Sequence, residues 1–217
     1  MSKKSRYEAL ITDFDGTLLP NSEAINQKAV VQTMNCLGFE LTQEEINWIP
    51  GHPSNETIPL FLGARDLGEE WYHRKIVAEN RLRYDAIWDK EIEFDSAIEN
   101  TLLELYTRGI PVAIATTNRS SVVSKFLERF NIREVVNVVV SGDDVIHKKP
   151  DPEVYLTAWR LLGEKRSLAV EDMPLGVRSA RAAEIHCAAI PNKYSAGLDF
   201  REATYILGSF SNLLQFF

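Results

Sequence analysis

Short apolar runs and amphipathic stretches alternate along most of the chain. Runs rich in β-branched residues predict buried strands, and apolar residues recurring at helical spacing predict helices that pack on them. The predicted strands are 7–12, 112–116, 135–140, 167–170, 186–190 and 204–207; the predicted helices between them are 97–108, 120–130, 152–162 and 175–184. This order predicts an α/β fold with a parallel sheet and helices on both faces.

A long helical segment interrupts this alternation. Helical patterns fall at 23–37, 42–48, 55–62 and 69–89, between the first two predicted strands. A strand–helix–strand unit needs only about 30 residues, and the helix at 97–108 already supplies the connection. We therefore expect residues 20–92 to form an all-helical domain inserted into a core of 1–19 and 93–217. Ligands of open α/β sheets bind outside the carboxyl ends of the strands, so this insertion is expected to act as a cap.

Composition excludes some classes of partner. The chain has 217 residues, which allows one domain with an insertion or two small domains, and 45% of them are hydrophobic, which is typical of a folded globular protein. Its 24 basic residues against 31 acidic ones give a net charge of −7, so the positive field that attracts nucleic acid or anionic membranes is missing. The oligomeric state stays open between monomer and homodimer.

Location and redox state follow from what the sequence lacks. There is no signal-like apolar segment at the amino terminus and no apolar run near 20 residues, which predicts a cytoplasmic protein. Cys36 and Cys187 are far apart in the sequence, so we expect reduced thiols packed as small hydrophobes rather than a disulfide or a zinc site.

Two acids follow the first predicted strand. Residues i and i+2 of an extended segment point the same way, so Asp13 and Asp15 should face one spot, and Gly16 lets the backbone turn away behind them. Taken alone, this pattern is also common in ordinary solvated turns.

The later strand ends add complementary groups. Each has an ordinary loop explanation when taken alone, but the carboxyl ends of parallel strands meet at one edge of a sheet. Hydroxyl and amide groups before a helix start, and a Lys held before a Pro, are suited to anion binding. The groups are Thr116, Thr117 and Asn118, then Lys149, then Glu171 and Asp172.

These motifs together resemble the haloacid dehalogenase superfamily, in particular its branch of helical-cap phosphatases and β-phosphoglucomutase-like enzymes. The motifs are DFDGTLL at 13–19, the strand ending in Thr116, KKPDP at 148–152 and VEDMPLGVRSARAA at 170–183. The resemblance covers essentially the whole chain, and it implies a Rossmann-like catalytic core with a helical cap.

The resemblance also implies roles for these residues. Asp13 matches the nucleophile that attacks phosphorus, and Asp15 matches the general acid and base. Thr116 and Lys149 match the groups that bind the phosphoryl oxygens. Magnesium is expected to be held by Asp13, the carbonyl of Asp15, and Asp172, with Glu171 in support.

Electrostatics independently indicates a cation. Up to four carboxylates would face an entering phosphate, and each pair of like charges about 4 Å apart costs on the order of 4 kcal/mol at an effective dielectric of 20. One lysine cannot offset this repulsion. Mg²⁺ can, because it prefers oxygen ligands and completes its coordination with water and phosphate.

The match departs from the mutases in two places. After the first motif, Asn21 and Asn26 replace the usual acid and hinge histidine, and the stretch beginning at Gly51 offers no arginine for a second phosphate. Both differences favour hydrolysis over a mutase reaction. Within the insertion, His52, Asn55 and Glu56 are candidates for choosing the leaving group, although surface roles are the simpler explanation.

Four hypotheses therefore remain. The first is a Mg²⁺-dependent phosphatase of a small phosphorylated metabolite that acts through an aspartyl-phosphate on Asp13. The second is a β-phosphoglucomutase-like enzyme, and the third is a non-catalytic binding or regulatory protein with the same fold. A phosphoacceptor receiver domain is the fourth, and is disfavoured because such domains are shorter and lack the insertion.

Overall fold

The computed structural model describes residues 6–217, so residues 1–5 of the predicted core lie outside the described part. The chain forms two compact units. The first contains residues 6–20 and 94–217, and the second contains Asn21–Glu93. Each unit has its own buried apolar cluster and is described by itself.

The first unit is built on a six-stranded sheet in which all neighbouring strands run parallel. The strands are β1 (Ala9–Thr12), β2 (Val112–Ala115), β3 (Val138–Val140), β4 (Ser167–Glu171), β5 (His186–Ala189) and β6 (Tyr205–Ile206). Their spatial order is β3-β2-β1-β4-β5-β6. The predicted α/β class with a parallel sheet is therefore confirmed.

Strand β1 lies where the direction of winding reverses. It pairs with β2 through Ile11 and Ala113 and with β4 through Ile11 and Ala169. From β1 the chain builds outward to β3, and it then returns to add β4 on the other side of β1. Such a reversal leaves a crevice at the carboxyl ends of the two central strands, which is where ligands of these sheets bind.

Eight helices and one 3₁₀ helix complete the described chain. They are α1 (Ser22–Cys36), α2 (Gln43–Trp48), α3 (Ser54–Gly63), α4 (Glu70–Glu91), α5 (Ser96–Thr107), α6 (Ser120–Arg129), α7 (Glu153–Leu161), α8 (Pro174–Ala182) and the 3₁₀ helix Phe210–Phe216. Helices α7 and α8 bury apolar side chains such as Tyr155 and Val177 against one face of the sheet.

Two local features differ from the sequence expectations. Strand β3 begins three residues later than predicted, because the side-chain oxygen of Asn137 accepts the hydrogen bond from Val112 N–H that a backbone carbonyl would accept in a continued strand. Cys36 is exposed rather than packed, and Cys187 is buried as expected.

The second unit is entirely helical. Helices α1 and α3 both pack on α4 around an apolar cluster that includes Met34, Ile58 and Ile76. Thr33 donates to the side-chain oxygen of Asn80 at 2.9 Å in this buried interface. Thr42 and Glu45 form a reciprocal capping box at the start of α2. Among residues 6–217, no helix is long and apolar enough to cross a membrane.

The cap of α5 gives a test of the local structure. The Asp95 carboxylate accepts hydrogen bonds from Ala97 N–H at 2.7 Å and Ile98 N–H at 3.4 Å. Removing an N-cap acceptor typically costs about 1 kcal/mol, whereas Asn caps nearly as well as Asp. We expect Asp95→Ala to lower the free energy of unfolding by about 1 kcal/mol in chemical denaturation. Asp95→Asn is the matched control and should stay near the original protein; equal losses in both variants would contradict the capping role.

Candidate active site

Asp13 lies directly after β1, at the carboxyl edge of the sheet. Its side chain is almost fully buried, and Thr12 donates its hydroxyl to the Asp13 carbonyl at 2.8 Å. The backbone then turns at Gly16, whose φ is +75°. A Cβ at Gly16 would lie 2.1 Å from an Asp172 oxygen, so only glycine lets the two loops approach this closely.

Lys149 brings three of the strand ends together. Its ammonium donates to Asp13 Oδ1 at 2.5 Å, to Glu171 Oε1 at 2.6 Å and to the Ala115 carbonyl at 3.0 Å. The side chain is only 10% exposed. A buried ammonium between two carboxylates satisfies its three donors and partly neutralises both acids.

The segment that carries Lys149 is fixed by its surroundings. Glu153, the first residue of α7, accepts the backbone N–H groups of Ile146 and His147 at 3.1 and 2.8 Å. These hydrogen bonds lower the pKa of Glu153. Two residues further along α7, Tyr155 donates its hydroxyl to Glu171 Oε1 at 2.6 Å, and its ring lies 4.9 Å from the Lys149 ammonium.

The two acids at the end of β4 have different partners. Glu171 is the last residue of the strand and faces Lys149, and a Cβ at Gly176 would lie 1.9 Å from its carboxylate. Asp172 accepts a hydrogen bond from the Thr17 hydroxyl at 3.2 Å and one from the Asn192 side-chain amide at 2.7 Å. Both acids are about 1% exposed.

The predicted anion-binding loop after β2 also reaches the β1 loop. Thr116 is buried, and its hydroxyl oxygen accepts Asn118 N–H at 3.0 Å. The Asn118 side-chain amide donates to Asp15 Oδ2 at 2.9 Å, which orients that half-buried carboxylate. Thr117 is exposed, and its carbonyl packs against Gly142, where a Cβ would come within 2.3 Å.

Burial and charge shift the pKa values at this edge. Burial raises the pKa of Asp13 well above its usual range and the Glu171 carboxylate raises it further, whereas Lys149 acts in the opposite direction. For Lys149, burial lowers the pKa but the charges of Asp13 and Glu171 outweigh it, so the pKa is raised. Burial also raises the pKa of Tyr155, which stays a hydroxyl donor.

A cluster of three acids has the composition of a site for a hard cation. Asp13, Glu171 and Asp172 each place a carboxylate oxygen within 4.8 Å of the other two, and all three residues are buried. The donor atoms are all oxygens, which suits Mg²⁺ and does not suit metals that prefer sulfur or imidazole. Lys149 supplies one positive charge against these three acids, so the cluster retains a negative excess that a divalent cation would neutralise.

The three candidate specificity residues lie in the helical unit. His52 stacks on Trp48 with ring centroids 3.6 Å apart, and its Nδ1 lies 2.7 Å from the Trp48 carbonyl oxygen. Asn55 and Glu56, in the first turn of α3, are exposed.

Sequence reasoning missed three residues that contact the acids: Thr17, Tyr155 and Asn192. The signal that was available for Asn192 is its position three residues after β5, at the same carboxyl edge as the predicted groups. Thr17 lies inside the DFDGTLL motif, but no role was assigned to it, and Tyr155 carried no comparable signal. The contacts of both residues depend on how the β1 loop and α7 are turned toward Asp172 and Glu171.

Comparison with known proteins identifies the family. The family model described as haloacid dehalogenase-like hydrolase matches residues 10–190. The chain therefore belongs to this family, and the resemblance stated from the motifs is confirmed.

Individual relatives are similar over most of their length. CbbY from Rhodobacter sphaeroides, in a crystal structure with phosphate, is 30% identical in sequence to this chain. The match covers 95% of this chain and 96% of the CbbY chain, with a TM-score of 0.80. A mutant of that protein in complex with xylulose-(1,5)bisphosphate is 29% identical, with the same coverage and TM-score. The phosphorylated carbohydrates phosphatase of Thermotoga maritima is 26% identical and covers 82% of each chain. The prediction of a hydrolase of the phosphatase type is thus confirmed at the level of the family.

The packing of Gly176 on Glu171 yields a stability prediction. Replacing glycine by alanine within a helix ordinarily stabilises a protein by up to about 1 kcal/mol. At Gly176 we expect the opposite, since the new methyl would overlap the buried Glu171 carboxylate. Gly63→Ala is the matched helical control, because a Cβ there meets nothing within 4 Å. Chemical denaturation should show Gly176→Ala destabilised and Gly63→Ala unchanged or stabilised; equal effects would contradict the packing.

The raised pKa of Asp13 predicts a gain in stability on removing its charge. Because the folded protein holds this proton more tightly than the unfolded chain, the group reduces stability progressively as the pH rises above the usual aspartate range. In metal-free buffer with a chelator, we expect Asp13→Asn to unfold at a higher temperature than the original protein at pH 7, with the difference shrinking toward pH 5.

The control variant is Asp199→Asn, at an aspartate whose pKa is lowered rather than raised. The backbone N–H of Arg201 lowers the pKa of exposed Asp199, so Asp199→Asn should give no such gain at pH 7. A lower unfolding temperature for Asp13→Asn at pH 7 would show that the Asp13 carboxylate is a net stabilising group.

Proposed function

We propose that the protein is a Mg²⁺-dependent phosphatase that hydrolyses a small phosphorylated metabolite, such as a sugar phosphate, through an aspartyl-phosphate on Asp13. The observation that carries this proposal is the contact of Lys149 with both Asp13 and Glu171, beside buried Asp172. This contact supports the proposal because it joins an acid, an ammonium and an acidic pair at the edge of the sheet where ligands of such folds bind.

Asp13 is the proposed nucleophile. One of its carboxylate oxygens, Oδ1, is held by Lys149, so the side chain has a fixed orientation before substrate enters. Attack on phosphorus forms a bond from a carboxylate oxygen of Asp13 to phosphorus and releases the substrate alcohol. Water then breaks that bond and releases inorganic phosphate, which divides hydrolysis into two steps.

Asp15 is the proposed general acid and base. It protonates the departing alcohol oxygen in the first step and accepts the proton of the attacking water in the second. Asn118 supports this role because it donates to one oxygen of the Asp15 carboxylate and so orients the side chain. Thr116, Thr117 and Asn118, together with Lys149, are the proposed partners of the phosphoryl oxygens.

The proposed magnesium ligands are Asp13, Asp15 through its carbonyl, and Asp172, with Glu171 in support through Lys149. The all-oxygen composition and negative excess of the cluster support this assignment. Bound there, magnesium would neutralise the charge that the acids and the phosphate share. Without it, the acids would repel the phosphate dianion and Lys149 would stay engaged with Asp13 and Glu171.

We further propose that residues 20–92 act as the cap of a catalytic core formed by 1–19 and 93–217. The insertion follows β1 and its Asp13–Leu19 loop directly in the chain, which supports a role close to the nucleophile. His52, Asn55 and Glu56 are the proposed residues that select the leaving group. One relative is named a phosphatase of phosphorylated carbohydrates, and a mutant of another is in complex with xylulose-(1,5)bisphosphate; both indicate the class of ester to test first.

The direct test is release of inorganic phosphate. Purified protein is assayed against a panel of sugar phosphates, phosphoglycolate and an aryl phosphate, with Mg²⁺ or with chelator. We expect Mg²⁺-dependent release that falls by at least about 1,000-fold in Asp13→Asn, as for loss of a nucleophile. Asp199→Asn, on the exposed surface, should retain the original rate.

Three outcomes would contradict the proposal. Phosphate release unchanged in Asp13→Asn would exclude the nucleophile. Isomerisation of a sugar phosphate exceeding phosphate release would favour the mutase. No turnover of any ester at saturating Mg²⁺ would favour a binding protein.

A further inference from the structure

We infer that Asn192 is a positioning residue that sets the affinity of this site for its divalent cation, by holding the Asp172 carboxylate against the β1 loop. The inference rests on the proposed function, since it assigns Asp172 as a cation ligand. Asn192 lies outside the four sequence motifs, in the loop after β5.

The side-chain amide of Asn192 contacts the loop that carries Asp172 and the loop that follows Asp13. Its Nδ2 donates to Asp172 Oδ2 at 2.7 Å and lies 3.4 Å from the Gly16 carbonyl oxygen. A primary amide has two hydrogens, so it can serve both acceptors at once. The side chain therefore links the loop after β4 to the loop after β1 beside Asp13.

The orientation of this amide is fixed by its other end. Asn192 Oδ1 accepts the backbone N–H of Tyr194 at 2.8 Å, which requires the oxygen to face Tyr194 and the nitrogen to face Asp172. A flipped amide would place an oxygen against the Asp172 carboxylate and lose the hydrogen bonds with Asp172 and with Tyr194 N–H.

The backbone around Asn192 is equally constrained. Its N–H donates to the hydroxyl of Ser195 at 3.0 Å, and its carbonyl accepts the N–H groups of Ser195 and Ala196 at 3.1 and 2.9 Å. Ser195 is fully buried. The loop is a tight turn, and these hydrogen bonds fix the position of the Asn192 backbone.

The sheet places this turn beside Asp172. Strand β5 pairs with β4 as far as Ala189 and Glu171, and Ile190 N–H then donates to the Glu171 carbonyl at 2.7 Å. Asn192 follows two residues later. Its position is thus set by the same strand pairing that positions Glu171 and Asp172.

Holding a carboxylate ligand in place before the cation arrives reduces the entropy that binding must remove. Partners that orient ligand side chains typically change metal affinity by about 10- to 100-fold when they are mutated. Thr17 donates to the other Asp172 oxygen at a longer 3.2 Å, so we expect Asn192 to be the main orienting group.

The test measures Mg²⁺ binding in the absence of substrate. Isothermal titration compares the original protein with Asn192→Leu, which keeps the branched shape and loses the donor, and with Asn192→Ala. Asn212→Ala, at an exposed asparagine in the 3₁₀ helix, is the control. We expect the dissociation constant for Mg²⁺ to rise by about 10- to 100-fold in both Asn192 variants and to stay unchanged in the control.

Thermal unfolding separates positioning from folding. With chelator present, the Asn192 variants should unfold at a somewhat lower temperature because they lose these hydrogen bonds, and added Mg²⁺ should stabilise them less than it stabilises the original protein. The activity readout should agree: the Mg²⁺ concentration for half-maximal phosphate release rises, while the rate at saturating Mg²⁺ is largely retained. Ser195→Ala is a second variant for the case in which the Asn192 variants do not fold. It removes the hydroxyl that accepts the Asn192 N–H and keeps the amide side chain, and it should also weaken Mg²⁺ binding.

The outcomes distinguish this inference from the function on which it rests. Unchanged Mg²⁺ affinity in folded Asn192 variants overturns the positioning role and leaves the proposed phosphatase intact. Lower unfolding temperatures with unchanged affinity also overturn it, because they show a structural role alone. Failure of the original protein to bind Mg²⁺ overturns the proposed metal site and this inference together.

Discussion

The confinement of negative charge at one edge of the sheet is the constraint on which the rest of the site depends. Asp13, Glu171 and Asp172 are buried within a few ångströms of one another, where carboxylates that are all charged repel one another. Lys149 contacts two of them and supplies one positive charge, which leaves a negative excess that a divalent cation would offset. Burial and the neighbouring Glu171 carboxylate raise the pKa of Asp13, and the excess of negative charge supports the proposed use of Mg²⁺.

The fold explains how a chain assembles such an unfavourable cluster. The pairing of β1 with both β2 and β4 brings together segments more than 150 residues apart, and the buried side chains of the sheet stabilise that arrangement. Glycines at 16 and 176 then allow the backbone to approach the carboxylates without a methyl group in the way. Packing elsewhere in the domain therefore maintains a local charge arrangement that is costly until a cation is bound.

The sequence indicated the acids and the lysine because each directly follows a buried strand or stands next to a proline in a recognisable motif. It could not indicate Tyr155, which lies in the first turn of an amphipathic helix and resembles a core residue. Its role follows only from the rotation of α7, which directs the hydroxyl toward Glu171. The start of β3 was predicted too early for a related reason. A run of valines favours a strand, but the side-chain oxygen of Asn137 accepts the Val112 N–H hydrogen bond, and strand propensity cannot indicate such a contact. The 3₁₀ helix at the carboxyl terminus carried no periodic signal that was long enough to predict it.

The central claim is that Asp13 and Asp172 share one divalent cation. The most direct measurement is a crystal structure with Mn²⁺ as a Mg²⁺ substitute, with anomalous diffraction collected at the manganese absorption edge. We expect a single strong anomalous peak in contact with carboxylate oxygens of both Asp13 and Asp172. A peak that contacts neither acid, or no peak at saturating Mn²⁺ in crystals that hydrolyse phosphate esters, would contradict it.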